Sequence, residues 1–174
     1  HIQHKVVVTQ DILAKYSEGV IVLSGALEGD LGVAISSGKE QIVENVLDYY
    51  KQHFPDRFYI ELQRTGHIGQ NYYIREAVDL ASKHDLPVVA TNNVRFLYQQ
   101  DYEAHEVRVC ISEGFTLDDS RRIKRYTNQQ YLRTPQEMVE LFSDIPEAIA
   151  NSVEIAKRCN VKLTLGEYFL PNFP

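Results

Sequence analysis

The chain has 174 residues, of which 44% are hydrophobic and 24% are charged, which suffices for one domain with a substantial core. Its formal net charge of −6 argues weakly against a dedicated nucleic-acid-binding surface, because phosphate binding needs clustered basic residues. The sequence shows neither a membrane-spanning apolar run nor an export signal, and its two cysteines form no Cys-x-x-Cys pair. We therefore expect a reduced, cytoplasmic setting without a membrane.

The first half of the chain alternates strand-like and helix-like segments. Thr9 is expected to cap a short helix that runs to Tyr16. Short apolar runs predict buried strands at residues 20–23 and 58–62 and a third that begins at Pro87, with a glycine-punctuated loop at 24–29 after the first. Helical periodicity predicts helices over 35–54, with Ile42 on the inward face, and over 72–83. The order predicts β-α-β units with parallel strands.

Polar residues follow the ends of these predicted strands. Asn92 and Asn93 come directly after the third strand, and Glu61 lies at the end of the second. Parallel strands point their carboxyl ends the same way, and active sites form there. We expect Ala26, Glu61 and Asn93 to converge on one pocket. For Glu61 two alternatives stay open: it lines this pocket, or it forms an ion pair with Arg64 or Arg95.

The second half of the chain is mostly helical. The pattern predicts a helix over 101–112 with Val107, Cys110 and Ile111 inward, and then a polar loop over 114–125. Thr134-Pro-Gln-Glu is a capping box that predicts a helix to residue 142. Residues 144–147 predict a similar start for a helix that ends near 159, and residues 161–165 predict a last strand.

Three further groups have both a functional and a structural interpretation. Asp101 and His105 share one helix face, where a solvated surface or a contact behind a site is favoured over a metal pair. Cys110 and Cys159 lie on apolar helix faces, which favours packing over reactivity. The basic run favours a solvated loop over contact with phosphate or a partner subunit, and its charged members are Arg121, Arg122, Lys124 and Arg125.

Several stretches carry a family resemblance. They read VVATNNVRFL, DYEAHEVRV, GFTLDD and EIAKRCNVKLTLGEYFLPNFP. Together they resemble the alpha-subunit family of bacterial DNA polymerase III, the C-family replicative polymerases, in the form found in enteric-type bacteria. The resemblance implies that residues 1–165 are the later part of a polymerase-and-histidinol-phosphatase (PHP) domain and that 166–174 begin the connection to the polymerase palm. The implied fold is α/β, an incomplete, distorted, TIM-like β/α barrel of the PHP type with a mostly helical C-terminal part.

The resemblance also bears on metal binding. Family members with a working metal site carry T-N-D-x-H where this chain has residues 91–95, and a cysteine where it has Ala26. Ala26, Asn93 and Arg95 therefore stand at vestigial metal-site positions, with Glu61 and Asn92 as candidate pocket lining. The resemblance implies neither a catalytic residue nor a bound metal in this segment.

The function implied by the resemblance belongs to a larger polypeptide. That polypeptide is a DNA-directed DNA polymerase that uses Mg²⁺, DNA and deoxynucleoside triphosphates. The segment itself is expected to hold no cofactor. It is expected to support the palm of the same chain and to dock the separate proofreading exonuclease subunit and other replicase subunits. The alternative is a metal-dependent phosphoesterase, acting on pyrophosphate or on a mismatched terminal nucleotide.

Overall fold

A computed structural model of the chain describes residues 8–168 and residue 170. Of the predicted connection at 166–174, residues 169 and 171–174 lie outside the described residues. The described strands are β1 (Val22–Leu23), β2 (Phe58–Gln63) and β3 (Val88–Thr91). The helices are α1 (Gln10–Lys15), α2 (Asp30–Ser36), α3 (Glu40–His53), α4 (Gln70–His84), α5 (Tyr102–Glu113), α6 (Pro135–Leu141) and α7 (Pro146–Arg158). Among these, no helix combines the length and apolar character needed to cross a membrane.

The three strands form one parallel sheet in the order β1-β2-β3. Phe58 pairs with Val22 on one side of β2, and Ile60 pairs with Val88 on the other. The first five residues of β2 are all buried, as expected for a central strand covered on both faces. The predicted α/β class and parallel strands are confirmed. A barrel is not shown, because the described strands form a small open sheet.

The core lies between this sheet and the helices that cover it. The ring of Tyr50 on α3 stacks on Phe58 with 4.5 Å between centroids. On the α7 side, the Asn151 amide donates to the carbonyl oxygen of Val88 at 2.8 Å. Removal of apolar side chains such as Phe58 from water is the main favourable contribution to the free energy of folding. The largest fully buried apolar side chains are Leu31, Leu47, Phe54, Phe58, Ile60, Leu62, Tyr73, Val89 and Phe142.

The single helix predicted over 35–54 is wrong, because the chain forms α2 and α3 there. Ser37 ends α2 by donating its hydroxyl to the carbonyl oxygen of Ala34 at 2.7 Å and accepting from the Lys39 amide at 3.3 Å. Gly38 then takes a left-handed conformation, φ +66°, that few other residues adopt easily. Ile42, predicted to face inward, is 42% exposed.

The predicted inward face of α5 is also wrong in part. Val107 and Ile111 are 39% and 77% exposed, whereas Cys110 is buried as predicted. The buried side carries His105 and Glu106 instead, because this helix packs against the polar loop that follows it. Cys159, placed on an apolar face by its sequence pattern, is exposed at the end of α7.

The starts of α6 and α7 differ despite their similar sequences. At α6 the Thr134 hydroxyl accepts from the Glu137 amide at 3.2 Å, and the Glu137 carboxylate accepts from the Thr134 amide at 2.7 Å, which confirms the capping box. At α7 no side chain caps the helix, because the N-cap residue is Ile145, whose side chain has no acceptor atom; Asp144, one residue earlier, pairs with Arg64 at 2.7 Å. The strand predicted over 161–165 is wrong, since these residues are exposed and irregular.

Candidate functional site

A cavity of about 420 Å³ opens where β2 and β3 end, beside the turn that follows β1. This is the edge of a parallel sheet at which ligand sites form. Asn93 and Arg95 lie on its wall, as does the residue that precedes Ala26. Its lining residues are Gly25, Leu27, Glu28, Gln63, His67, Ile68, Gln70, Asn93 and Arg95.

Glu61 lies behind this wall and ties the three strand ends together. Its carboxylate accepts from the Gly25 amide at 3.1 Å and from the Gln63 side-chain amide at 3.0 Å, and the Thr91 hydroxyl also donates to it. Its own backbone amide donates to the Ser24 hydroxyl at 2.9 Å. Hydrogen bonds of this kind satisfy a buried carboxylate without a counter-charge.

The ion pair considered for Glu61 is not formed among the described residues. Arg64 makes a two-point contact with Asp144 instead, with both nitrogen–oxygen distances at 2.7 Å. Arg95 also has another partner, the ring of Tyr126. Glu61 therefore acts as a buried hydrogen-bond acceptor beneath Gly25 and Gln63, both of which line the cavity.

Ala26 lies in the tight turn after β1, in the left-handed conformation with φ +49°. Its side chain is 2% exposed and belongs to the hydrophobic core cluster. The methyl group therefore contributes packing rather than a ligand atom. The turn itself places the Gly25 amide against the carboxylate of Glu61.

Asn92 and Asn93 have different roles although they are adjacent. The Asn92 side chain is buried, and its amide donates to the carbonyl oxygens of Gln129 at 3.3 Å and Tyr131 at 2.7 Å. It therefore anchors the segment 129–131 and does not line the cavity, which corrects its predicted position. Asn93 does reach the cavity, from a left-handed backbone with φ +36°.

Arg95 is held by the same segment. Its amide donates to the carbonyl oxygen of Gln130 at 2.8 Å, and the next residue, Phe96, forms a parallel bridge with Tyr131. The guanidinium carbon lies 5.3 Å from the centre of the Tyr126 ring, within the range of a cation–π contact. The backbone of residues 130–132 thus pairs with residues 95 and 96 beside the cavity, and Tyr126 lies against the Arg95 guanidinium.

The sequence pattern did not point to this segment. The only available signal is the run of amides at 128–130 between Tyr126 and Tyr131, side chains that can satisfy buried backbone groups. Gln130 does this by accepting from the Thr127 amide at 3.0 Å and donating to the Asn93 carbonyl oxygen at 3.3 Å. Neither periodicity nor a motif identifies such a segment.

Ala26, Asn93 and Arg95, the vestigial metal-site positions, do not fit a metal ion. They present a methyl group inside the core, a neutral amide and a guanidinium, whereas zinc and manganese take imidazole, carboxylate or thiolate ligands. Glu28 and His67 are the donors left on the cavity wall. Across residues 8–168 and 170, no three His, Cys, Asp or Glu side chains are grouped so that they could hold a metal.

Asp101 and His105 have separate partners. The Asp101 carboxylate accepts from the Tyr98 amide at 3.0 Å and so caps the turn before α5. His105 is buried, with its ring 4.7 Å from Tyr126 and 5.5 Å from Phe96. Burial, followed by the charges of Arg108 and Arg95, lowers the pKa of His105 from its usual 6.5.

This lowered pKa predicts acid sensitivity. The folded chain favours neutral His105, so its contribution is complete above about pH 6.5, the unfolded pKa, and decreases as the pH falls toward the lower folded pKa. Unfolding free energies measured by urea titration at about pH 7.5 and about pH 5.5 should differ more for the wild type than for His105→Phe. Equal differences in the two proteins would contradict a role for His105.

The basic loop is largely paired within the chain. Arg121 contacts Asp119 at 2.6 Å, and Arg125 contacts Glu113 at 2.9 Å. The Arg122 side chain is only 4% exposed and pairs with buried Glu106, so it is not part of a solvated loop, the favoured interpretation, and it is not placed to contact phosphate or a partner. Lys124 is exposed, and it remains, with Arg121 and Arg125, a candidate contact.

Comparison with known proteins gives two findings. The family model of the PHP domain matches residues 1–65. DNA polymerase III subunit alpha of Vibrio cholerae is 55% identical over all 174 residues, that of Escherichia coli K12 is 52% identical over 168 residues, and that of Pseudomonas aeruginosa is 52% identical over 170 residues. The chain spans only 14–15% of the length of these relatives, although 97–100% of the chain is matched.

Proposed function

Because the chain belongs to the DNA polymerase III alpha-subunit family, we propose that it is a segment of the catalytic alpha subunit of a bacterial replicative DNA polymerase in the cytoplasm. Nucleotidyl transfer, with its Mg²⁺, DNA and deoxynucleoside triphosphates, is assigned to a palm elsewhere in the same polypeptide. Residues 1–165 are the later part of the PHP domain, and 166–174 lead toward the palm. The match of the PHP-domain model to residues 1–65 supports the PHP assignment for the first part of this span.

Within that polypeptide the segment serves as a scaffold and docking region with a degenerate metal site. The observation that carries this proposal is the position of Arg95 on the cavity wall, with its guanidinium against Tyr126. A guanidinium stays protonated at every relevant pH and has no lone pair for a metal, so it opposes a divalent cation nearby. Asn93 and Ala26 add no anionic donor. The hydrogen bonds of Glu61 and Asn92 are used to hold the strand ends and the 129–131 segment.

The competing phosphoesterase function has one observation in its favour. Glu28 and His67 face the cavity and are of the types that hold catalytic metals. A catalytic zinc site takes about three protein ligands plus a water, which two residues do not supply. Scaffold and docking therefore remain the better-supported function.

Metal analysis tests this choice. After removal of bound metal and incubation with zinc or manganese, the purified chain should retain less than one ion per molecule and should not hydrolyse pyrophosphate. The matched comparison is the variant Ala26→Cys/Asn93→Asp/Arg95→His, which supplies the ligand types of the metal-binding relatives and should retain more zinc than the wild type. A stoichiometric metal in the wild type that Glu28→Gln or His67→Ala removes would overturn the scaffold proposal.

The docking role has its own test. Immobilised chain should retain the separately purified proofreading exonuclease subunit of the replicase, and an unrelated acidic protein of similar size on the same support should not. The expected complex forms without DNA or nucleotide, because docking does not require the polymerase reaction. Failure of the exonuclease subunit to bind, with a cooperatively folded chain on the support, would contradict the docking role.

A further inference from the structure

A second groove of about 650 Å³ lies between the outer faces of α3 and α4, away from the cavity at the strand ends. Its floor is apolar and includes Ile35, Val43 and Leu80. Tyr72 stands at one end of the groove, 47% exposed. The same tyrosine also borders a shallow hollow that holds Val33 and Ile68, which are 60% and 99% exposed. Exposed apolar surface that continues from one hollow into the next is typical of an interaction site.

The rim of this groove is acidic. Glu40 and Glu44 stand on the α3 side, and Glu76 and Asp79 stand on the α4 side. Within the described part of the chain, Lys83 is the one basic residue that lines the groove, and it is paired with Glu44 at 3.2 Å. Glu76 is paired with exposed Arg75 at 3.0 Å, whereas Glu40 and Asp79 form no ion pair among the described residues. The rim therefore keeps uncompensated negative charge on both sides of an apolar floor.

We propose that this groove binds a basic amphipathic helix of a partner protein, an inference that deepens the docking role proposed above and rests on it. The apolar face of such a helix covers Val43, Leu80 and Tyr72, and its lysine or arginine residues meet the two acidic rims. The groove is lined by α4 from Tyr72 to Lys83, about 17 Å of helix, and by the first turn of α3 from Glu40 to Glu44, so it accommodates about three turns of a partner helix.

The charge of the groove selects against other occupants. DNA, RNA and anionic lipid all present phosphate, which the carboxylates of the rim repel. A second copy of this chain carries the same net charge of −6, which opposes self-association through an acidic groove. A basic segment removes the repulsion between the two rims while it buries the apolar floor. Complementary potentials of this kind direct specificity and association rate more than raw affinity.

The test uses the whole chain and a synthetic probe. The probe is a fluorescent peptide of about 16 residues with leucines on one helical face and lysines on the other, which is long enough to span the lined part of the groove. Fluorescence anisotropy gives its affinity at low salt and at about 0.5 M salt, where exposed charges are strongly screened. A peptide of the same leucine pattern with glutamate in place of lysine is the probe control.

Two double variants separate the groove from the overall charge. Glu40→Lys/Asp79→Lys reverses both sides of the rim, and Glu147→Lys/Asp118→Lys makes the same change in net charge at exposed sites outside it. Glu147 matches Glu40 because each lies in the first turn of its helix. We expect the rim variant to bind the lysine peptide about tenfold more weakly and the control variant to bind it within about twofold of the wild type. Tyr72→Ala should also weaken binding, and this loss should persist at high salt.

The outcomes distinguish this inference from the docking role itself. Equal weakening by both double variants means that the peptide senses only net charge, and it overturns the groove. Exonuclease binding to the chain without lysine-peptide binding overturns the groove and leaves the docking role intact. If the chain binds neither the exonuclease subunit nor the lysine peptide, both the docking role and the groove are overturned. Because reversal of Glu40 removes a favourable first-turn charge, thermal unfolding of each variant is measured first, and Asp79→Lys alone replaces the pair if that variant is unfolded.

Discussion

Replacing Arg122 with alanine is expected to lower the free energy of unfolding by about 3–5 kcal/mol. Its guanidinium pairs with the Glu106 carboxylate, and the two side chains are only 4% and 6% exposed. A second nitrogen of the guanidinium donates to the Leu117 carbonyl oxygen at 3.1 Å. Truncation leaves the charge of Glu106 buried without a partner, and that desolvation dominates the loss. The loop over 114–125 also loses its main anchor to α5.

Chemical denaturation of three variants measures this effect. Arg121→Ala is the control, because Arg121 is 77% exposed and solvent screens its pair with Asp119. Glu106→Leu/Arg122→Met removes both charges and should recover most of the stability that Arg122→Ala loses. An Arg122→Ala loss no larger than that of Arg121→Ala would show that the pair is not buried in solution.

The sequence predicted the sheet because its strands carry an unambiguous signal. Residues 58–62 form an apolar run with one charge, and a central parallel strand buried on both faces has this composition. The polar residues after the strands predict a pocket at the strand ends, and Asn93 lies on the wall of the cavity there. Local patterns are sufficient to locate these strands, because the burial of each strand is visible in its own composition.

Distant partners explain most of the wrong predictions. Arg122 lies in a basic run that has the composition of a solvated loop, and nothing in that run reveals Glu106, sixteen residues earlier on the preceding helix α5. Asp144 lies near the start of α7, where a capping residue is expected, but Ile145 is the N-cap, and Asp144 pairs with Arg64, eighty residues earlier. The break between α2 and α3 is hidden because Ile35 and Ile42 are seven residues apart, a spacing that also suits one continuous helix.

Replacing Gly29 with alanine is expected to lower the free energy of unfolding by about 3 kcal/mol, at the upper end for an over-packed site. A Cβ atom at Gly29 would lie 1.8 Å from the carbonyl oxygen of Ser24 and 2.9 Å from the Cα atom of Gly25. Both neighbours are backbone atoms, so no side chain can rotate away to relieve the clash. The turn between β1 and α2 must therefore open, although the φ of Gly29, −78°, is acceptable for alanine.

This turn supports the wall of the cavity, so the substitution should also be visible there. Ser24 accepts from the Glu61 amide at 2.9 Å, and the Gly25 amide donates to the Glu61 carboxylate at 3.1 Å. Opening the turn weakens both bonds, and the Gly25 amide should exchange with solvent faster. Gly19→Ala is the control, because Gly19 has φ +70° but no atom within 4 Å of its added Cβ. Gly19→Ala should lower the free energy of unfolding by about 1 kcal/mol, because alanine must adopt the left-handed conformation there. A Gly29→Ala loss that does not exceed the Gly19→Ala loss, with unchanged exchange at Gly25, would contradict the close packing of this turn against β2.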